Sequence, residues 1–332
     1  MTRPATALIS TLVESAGLAP TVHNIQPALW AWDGDTLALS ADPDRTLPVG
    51  DPEGRDVAMS LGAGLEGLSL AASAAGLSID TDLASGPAKG EIARIRFLAS
   101  SSREDHRVPL VQRRLTWRGG FAPACASQTR TLTDMVAERP DLRLLTDERA
   151  IEDVAELNDS MSMDVFRQAD YRAELVHWMR FTRNHPNWLT DGLNARSMDL
   201  SGLEARLAAI VMKPGVFHLV DRLGLAGLAL SERDKTRSST AIGLFHRPAD
   251  EDPVTSGRAF YRAWLNITAA GCDACPMAVL ADDVDTRQHL SRVYGISDDR
   301  RLINVFRIGV PKPGRASWRY RRPVSEVFSA SH

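Results

Sequence analysis

Apolar residues recur at helical spacing in several parts of the chain. Residues 9–16 place apolar side chains three and four positions apart, which predicts a short amphipathic helix with one buried face. Residues 55–76 are apolar on nearly all sides and rich in glycine and alanine, so we expect a central helix whose backbone packs close to its neighbours. Residues 257–271 show the same pattern and also end in Ala-Gly. The chain is therefore expected to hold two similar buried helices.

Alternating apolar and polar positions predict strands between these helices. Residues 28–32 and 36–41 lie on either side of an Asp-Gly-Asp turn, which predicts a hairpin. A loop rich in proline, aspartate and glycine follows, at residues 42–53. The remaining predicted strands are residues 91–98, 239–245 and 304–310, with a shorter strand that begins at Leu77 or Ser78.

The order of these elements predicts an α+β fold in two lobes. Polar residues 99–107 follow the first set of elements, and the pattern starts again at Val108. Further helices are predicted at residues 148–168, 172–183 and 285–294. An apolar segment punctuated by glycine, residues 223–232, is a candidate lid. We expect a first lobe at 1–107 and a second at 108–332, the second with a lid insertion at about 186–235 and a basic C-terminal tail.

A compact polar turn stands between the first helix and the first strand. It places Thr21, His23, Asn24 and Gln26 between two prolines, Pro20 and Pro27. Prolines stiffen the backbone, so the hydroxyl, imidazole and amide groups of this turn suit the polar edge of a planar heterocycle. The alternative is an ordinary connection, because threonine, asparagine and proline are also common turn residues for local reasons.

A basic segment near residue 114 carries three arginines and Thr116 within six positions at a predicted helix end. Guanidinium groups at this spacing can form a phosphate clamp, because each presents a planar fork of donors and keeps its charge near neutral pH. The alternative is a solvated basic face that pairs with Glu104 or Asp105.

Length, composition and charge exclude several classes of protein. The chain has 332 residues, of which 44% are hydrophobic, so it is long enough for two lobes. Its 39 basic and 42 acidic residues nearly balance, so we expect no nucleic acid and no membrane among its partners. No uninterrupted apolar run reaches membrane length, and the first apolar segment is too short for a signal peptide. A cytoplasmic protein is expected.

The three cysteines are too few for a disulfide framework. Cys272 and Cys275 form a pair, but no second pair completes a zinc site, so no metal site is predicted. The pair follows the end of a predicted helix, where cysteine usually serves as a small buried residue. A redox dithiol is the alternative.

The polar turn and its place in the chain resemble the nitroreductase superfamily of FMN-dependent oxidoreductases, and in particular its fused, two-lobed Acg-like branch. Residues 20–27 look like the family's Pro-Ser-x-x-Asn-x-Gln-Pro-Trp turn, and the Ala-Pro-x-x-His-Asn form is typical of the Acg branch. Thr21 stands here in place of the serine, and Ala28 in place of the tryptophan.

Two further motifs extend the resemblance over nearly the whole chain. Arg114, Thr116 and Arg118 fit the family's alternating Arg-x-Ser/Thr-x-Arg/Lys clamp for FMN. Residues 309–311 and 322–323 are similar to its closing Gly-Tyr-Pro and basic-Pro pattern. The order of the motifs carries the resemblance more than any single one does.

The resemblance implies how the two lobes are used. In ordinary members of the family two chains pair, and each FMN lies at their interface between the clamp of one chain and the turn of the other. This sequence has one turn, in the first lobe, and one clamp, at the start of the second. The resemblance therefore implies two similar lobes that form an internal pseudo-dimer with one FMN site. A monomer is expected, with a homodimer as the alternative.

The resemblance also implies which residues contact FMN. The expected phosphate ligands are Arg114, Thr116 and one or two of Arg319, Arg321 and Arg322. The expected partners of the pyrimidine edge are His23, Asn24, Gln26 and Arg118, within the turn that Pro20 and Thr21 begin. Related enzymes present backbone amides to the flavin N5 edge from a Pro-x-Glu-Gly turn. This chain has Pro276, Met277 and Ala278 there, which keep the amides but lack the acid and the glycine. No residue is assigned a catalytic role.

The family implies an enzyme that takes hydride from NADPH or NADH and passes it through FMN to a nitroaromatic, a quinone or a similar small-molecule electrophile. The Acg branch implies an alternative, a protein that stores or sequesters FMN beneath its lid with little or no NAD(P)H reductase activity. A third alternative is an interaction protein that has lost the flavin. The sequence contains no nicotinamide fingerprint and does not choose between NADH and NADPH.

Overall fold

The computed structural model describes residues 2–84, 90–137, 139–313 and 318–331, without the side chains of Leu228 and Ala229. Helices and strands alternate along the chain in an α+β fold. The helices are α1 (Thr6–Ala16), α2 (Arg55–Ala74), α3 (Val108–Arg113), α4 (Ala126–Ala137), α5 (Glu148–Arg167), α6 (Ala169–Trp178), α7 (Gly202–Val211), α8 (Pro214–Arg222), α9 (Ala226–Leu230), α10 (Arg233–Arg237), α11 (Pro253–Ala269), α12 (Val279–Asp282), α13 (Val284–Val293) and α14 (Val324–Val327).

The strands of the described chain form three sheets. They are β1 (Ala28–Trp32), β2 (Leu37–Ala41), β3 (Leu77–Leu83), β4 (Glu91–Ala99), β5 (Leu142–Leu145), β6 (Met179–Arg180), β7 (Leu193–Asn194), β8 (Ala241–Pro248), β9 (Asp273–Pro276), β10 (Arg300–Gly309) and β11 (Phe328–Ala330). The first sheet has the order β11-β1-β2-β4-β3, the second has the order β5-β8-β10-β9, and β6 pairs with β7.

The first sheet packs its apolar face against α1 and α2. Strands β1 to β4 pair antiparallel, and the alternation predicted for them places Trp30, Leu39 and Ile95 in one buried cluster. The apolar face predicted for residues 9–16 lies in the same cluster, where Ile9 is fully buried. These elements therefore form because each buries one apolar face against the others.

The C-terminal strand returns to the first sheet. Strand β11 pairs in parallel with β1, so that Trp30 lies opposite Phe328. The last residues of the predicted second lobe, 108–332, thus pair with a strand of the first sheet and cover the edge of β1. The division at residues 107 and 108 itself stays a prediction.

The second sheet is antiparallel throughout and packs against α11. Strand β10 is its longest member and is buried along most of its length, between β8 and β9. A register shift between Leu302 and Asn304 marks a bulge in the pairing of β10 with β8. This bulge lies beside the cavity described below, because Asn304 lines that cavity.

Helices α2 and α11 pack directly against each other and join the two halves. A Cβ at Gly62 would lie 1.9 Å from the carbonyl oxygen of Val254, and a Cβ at Gly257 would lie 2.1 Å from that of Met59. Only glycine allows two helix backbones to approach this closely. Glu66 of α2 then accepts ion pairs from Arg258 and Arg262 of α11. The two glycine-rich helices predicted from the sequence thus form the centre of the fold.

Most predicted elements are confirmed, with small shifts at their ends. The exception is the helix predicted at residues 172–183, since α6 ends at Trp178 and Met179–Arg180 continues as a strand. Helix α2 is long and apolar enough to cross a membrane, but 83% of its most apolar stretch is buried inside the protein. That burial is typical of a core helix.

Candidate functional site

A cavity of about 340 Å³ lies where the polar turn, the basic segment and the C-terminal tail meet. This size falls within the range of small-molecule sites, roughly 300–1,000 Å³. Every predicted site residue except Gln26 and Arg322 lines it: Pro20, Thr21, His23, Asn24, Arg114, Thr116, Arg118, Pro276, Met277, Ala278, Arg319 and Arg321. The fold therefore brings together residues from both halves of the chain and from its tail.

The polar turn has an unusual backbone. His23, Asn24 and Gln26 adopt left-handed conformations with φ of 43°, 56° and 53°. Residues other than glycine rarely adopt such angles. Residues that do adopt them cluster at functional sites, where the surrounding structure holds them in place. Here the amide of Val22 donates to the hydroxyl of Ser60 at 3.0 Å, which ties the turn to α2.

Segments distant in sequence also hold this turn. Gln26 donates through Nε2 to the carbonyl of Thr190 at 2.7 Å and accepts from the amide of Arg322 at 2.8 Å. Asn24 donates to the carbonyl of Gly192 at 3.1 Å and accepts from Arg321 at 2.9 Å. The turn is thus fixed by the tail and by the chain near residue 190.

Two predicted ligand contacts take a different role in the structure. Gln26 was expected at the ligand, but its side-chain amide does not line the cavity and instead connects the turn to Thr190 and Arg322. Arg322 was a phosphate candidate, but its guanidinium forms ion pairs with Asp42 and Glu326. In both cases the side chain bonds to protein partners.

His23 lines the cavity as a neutral imidazole at physiological pH. Burial, and to a smaller extent the charge of Arg118, lower its pKa from 6.5 to about 4. A neutral imidazole offers one donor and one acceptor. His23 can therefore accept or donate a hydrogen bond at the polar edge of a ligand.

Arg114 lies at the centre of the basic side of the cavity. Only 2% of it is exposed, and it lies over the ring of Trp264 at 4.7 Å. Nη2 donates to the carbonyl of Leu18 at 2.9 Å, but Nε is buried without a hydrogen-bond partner. A buried guanidinium with an unused donor is costly unless a ligand completes its bonding.

Arg319 and Arg321 lie beside Arg114, and the three are called the arginine cluster below. Arg319 donates to the carbonyls of Val111 and Arg114, and Arg321 donates to those of Leu18 and Ala19. In the described parts of the chain, no ion pair joins any of the three to a carboxylate. Arg114 is buried and Arg319 and Arg321 are half-buried, and neutral oxygens hold all three cations, so together they form a site for an anion.

The pKa values of the arginine cluster reflect this crowding. Burial lowers the pKa of Arg114 to about 10. Burial, followed by the charges of Arg114 and Arg319, lowers the pKa of Arg321 well below its usual value. An anion between these side chains would raise both pKa values, because a negative charge favours the protonated guanidinium.

The rest of the basic segment faces the cavity beside this cluster. Thr116 lines it and pairs through its backbone with Ala274 of β9. Arg118 donates to the carbonyl of Ser197 at 3.2 Å. Behind it, the fully buried Arg307 donates to the carbonyl of Arg118 at 2.8 Å and lies 3.5 Å from Glu232. Arg307 therefore positions Arg118, a role that the sequence did not reveal.

The stretch from Pro276 to Ala278 lines the cavity with one amide already engaged. The amide of Met277 donates to the carbonyl of Val305 at 2.7 Å. The expectation that this stretch keeps its amides for a ligand is therefore wrong for Met277, because strand pairing with β10 uses that donor.

The cover of the cavity differs from the predicted lid. Among the described residues of 223–232, only Glu232 lines the cavity, and α9 packs against α5 and α8. The wall comes from α5 and α6, and the predicted insertion at 186–235 adds only a few positions. The lining residues from these parts are Asn158, Ser162, Val165, Phe166, Tyr171, Leu175, Gly192, Leu193, Ser197 and Glu232.

Acidic residues that the sequence analysis did not select also line the cavity. Asp56 comes from the first turn of α2, and Asp282 from the end of α12. Burial and the nearby carboxylate of Asp51 raise the pKa of Asp56 to about 7. No local motif marks either residue, since only the packing of the two halves brings them together.

The comparison with curated proteins finds a relative of nearly equal length. The chain is 30% identical over 344 residues to a protein of Mycobacterium tuberculosis, curated in two strains as "Putative NAD(P)H nitroreductase acg". The alignment covers 97% of this chain and 96% of the relative. No protein-family model matches the sequence.

Solved structures give weaker similarity. The FMN and NADPH-dependent nitroreductase NfnB from sphigopyxis sp. strain HMH is 15% identical, with a TM-score of 0.38, and the match covers 69% of this chain and 100% of that one. NfnB from Mycobacterium smegmatis, solved in complex with NADPH, is 16% identical with a TM-score of 0.35, and covers 66% and 90%. The family assignment therefore rests on the full-length relative, and by that similarity the chain belongs to the Acg-like nitroreductase family.

Proposed function

We propose that this chain binds one FMN in the cavity and uses it to transfer hydride from NADPH or NADH to a small nitroaromatic, quinone or similar electrophile. The arginine cluster carries this proposal, because it is a partly buried cationic site without a carboxylate partner in the described chain. The name of the mycobacterial relative supports the choice of reductant and of a nitro substrate. A cytoplasmic location follows from the use of NAD(P)H.

The residues of the cavity fit the phosphate end of FMN. A phosphate monoester carries close to two negative charges and three acceptor oxygens near neutral pH. The unpaired Nε of Arg114 and the unpaired hydroxyl of Tyr320, which both lie at the cavity, are donors that such a group would satisfy. Arg319 and Arg321 supply charge, and Thr116 supplies a hydroxyl.

The polar turn fits the ring end. His23, Asn24 and Arg118 line the cavity at the turn, on a backbone that distant segments hold rigid. Bound FMN would supply the hydride carrier, since flavins perform this chemistry and the protein orients them and tunes their environment. The side chains of this cavity bind and orient the ring and exclude water. None of them needs to act as an acid or base for that step.

The origin of the lining residues supports an internal pseudo-dimer. The turn precedes β1 of the first sheet, while Arg114 follows α3 and Pro276 ends β9 of the second sheet. The described chain thus builds one cavity from one turn and one clamp. We therefore propose a monomer with one FMN, in which the two halves replace the two chains of ordinary nitroreductases.

Flavin content and anaerobic reduction test the proposal. We expect the purified protein to carry close to one FMN per chain, measured by absorbance after denaturation. Anaerobic stopped-flow with NADPH, and separately with NADH, should bleach the flavin band within the time of a catalytic turnover, with free FMN as the control. A protein without flavin would contradict the proposal.

Flavin that binds but is not reduced over minutes would support FMN storage instead. One observation favours this second candidate, because the amide of Met277 is already bonded to Val305 and cannot serve the flavin edge. The same stopped-flow traces distinguish the two, since storage predicts stoichiometric flavin with a constant spectrum.

A further inference from the structure

The cavity has a second charged side formed by acceptors. Asp56 and Asp282 line it from opposite halves of the chain. In the part of the chain that is described, neither carboxylate forms an ion pair, although Arg301 influences both at longer range. Asp282 is accessible to solvent through the cavity, so a ligand there can reach it. Two carboxyl groups without a cationic partner thus face a ligand-sized space.

An independent observation points to a ligand at this side. Asn304 is only 8% exposed and lines the same cavity, and its Oδ1 is buried without a hydrogen-bond partner. It lies on β10, the strand against which α12 with Asp282 packs. A buried acceptor without a donor costs free energy, which a donor on a ligand would recover.

We propose that Asp56, Asp282 and Asn304, here called the acceptor wall, bind the protonated amino group of the electrophile that this protein reduces. All three present acceptors, and an ammonium group offers three donors and a positive charge. The arginine cluster would hold the phosphate of FMN on the other side, so the proposal rests on the proposed function. The substrate class is then a nitroaromatic or quinone with an aminoalkyl side chain.

The acceptor wall makes binding depend on pH. Burial raises the pKa of Asp56 to about 7, and burial together with Asp56 and Asp51 raises that of Asp282 well above its usual value. Below about pH 7 Asp56 is largely protonated and neutral, so the wall attracts a cation more weakly. As the pH rises the carboxyl groups ionise, and affinity for an ammonium group should increase. The other charged or titratable groups that act on the pair are Arg55, Tyr171, Arg287 and Arg301.

A matched pair of probes tests the proposal. 2-(4-Nitrophenyl)ethylamine and 2-(4-nitrophenyl)ethanol differ mainly in the ammonium group. Titration calorimetry on the purified full chain should show the amine binding about tenfold or more tightly than the alcohol at about pH 8. The difference should shrink at about pH 6, where the wall is protonated. Equal affinities of the two probes at the higher pH would overturn the proposal.

Variants locate the effect. Asp56→Asn and Asp282→Asn should each reduce the preference for the amine and leave affinity for the alcohol within about twofold. Asp298→Asn, an exposed carboxylate outside the cavity, is the control and should keep the preference. A preference that persists in both cavity variants would contradict the assignment.

Proton release gives a measurement that needs no variant. Amine binding near pH 7 should release protons, seen as heats that differ between buffers of different ionisation enthalpy, and alcohol binding should not. Equal heats for the amine in all buffers would overturn the proposal. Flavin content and reduction by NAD(P)H are measured separately, so a failure of the proposed function is distinguishable from a failure of the acceptor wall.

Discussion

At the scale of single residues, Arg114 keeps a buried positive charge and a buried hydrogen-bond donor, Nε, that no group in the described chain satisfies. Its guanidinium is buried over Trp264 with one unpaired donor, next to two other arginines. Without an anion this arrangement is costly, because buried like charges repel and lack water. A phosphate bound between them would remove this repulsion and satisfy the unpaired donor, which favours anion binding.

We expect Arg114→Met to weaken FMN binding by about 1.5–3 kcal/mol, the scale of a hydrogen bond to a charged group. Methionine fills much of the same volume without charge, so the melting temperature of the apoprotein should stay unchanged or rise. Fluorescence titration and thermal unfolding measure the two effects. Arg113→Met, one residue earlier and exposed, is the control and should leave both unchanged. Equal losses in both variants would place Arg114 outside the site.

At the scale of elements, the contact of α2 with α11 fixes the distance between the two halves. Gly62 and Gly257 each face a backbone carbonyl of the other helix, at distances that no side chain allows. Backbone atoms cannot move away as a flexible side chain can. The cavity lies beside this contact, since Met59 of α2 and Phe260 of α11 both line it.

Gly62→Ala and Gly257→Ala should each lower the free energy of unfolding by at least about 2 kcal/mol, because the added methyl group forces the helices apart. Gly64→Ala is a matched control on α2, where the new Cβ would lie 3.7 Å from Trp30, an ordinary contact. That substitution should be neutral or stabilise the helix by up to about 1 kcal/mol. Urea denaturation measures all three. Similar values for Gly62→Ala and Gly64→Ala would contradict the close approach of the helices.

The sequence predicted these elements well because each buries a periodic apolar face. This periodic apolar pattern occurs in α1, which contains Ile9, in the two central helices and in most strands. The candidate lid stays a prediction, since its apolar residues, such as Leu223, which is 64% exposed, bury no face against the core. The motifs of the turn and clamp were found because they are local. Asp56 and Asp282 were not, because only tertiary packing makes them neighbours.

At the scale of the whole molecule, the polar turn joins three parts of the chain. Gln26 bonds to Thr190 and to Arg322, which are 164 and 296 residues away in sequence. Its side chain therefore links the turn before the first sheet to the segment near residue 190 and to the tail. This role explains why a residue expected at the ligand does not touch the cavity.

Gln26→Ala should lower the unfolding free energy of the apoprotein by about 1–3 kcal/mol, because it leaves a carbonyl and an amide without partners. It should also weaken FMN binding indirectly, by releasing the left-handed turn. Denaturation of the flavin-free protein separates the two roles, since a residue that only contacts the ring would leave its stability unchanged. Gln288→Ala, exposed on α13, is the control. If Gln26→Ala leaves the stability unchanged, the structural role is wrong and Gln26 is again a candidate for contact with the ligand.

The partnership of Asn24 with Arg321 has a consequence for how the protein is made. The two residues are separated by 297 positions. Ribosomes add about 5–20 residues per second, so Arg321 is made about 15–60 s after Asn24. During that interval the nascent chain has its turn but lacks two of the three arginines. On the function proposed above, we expect cofactor loading to follow synthesis of the tail, and we expect a chain interrupted before residue 319 to hold no flavin.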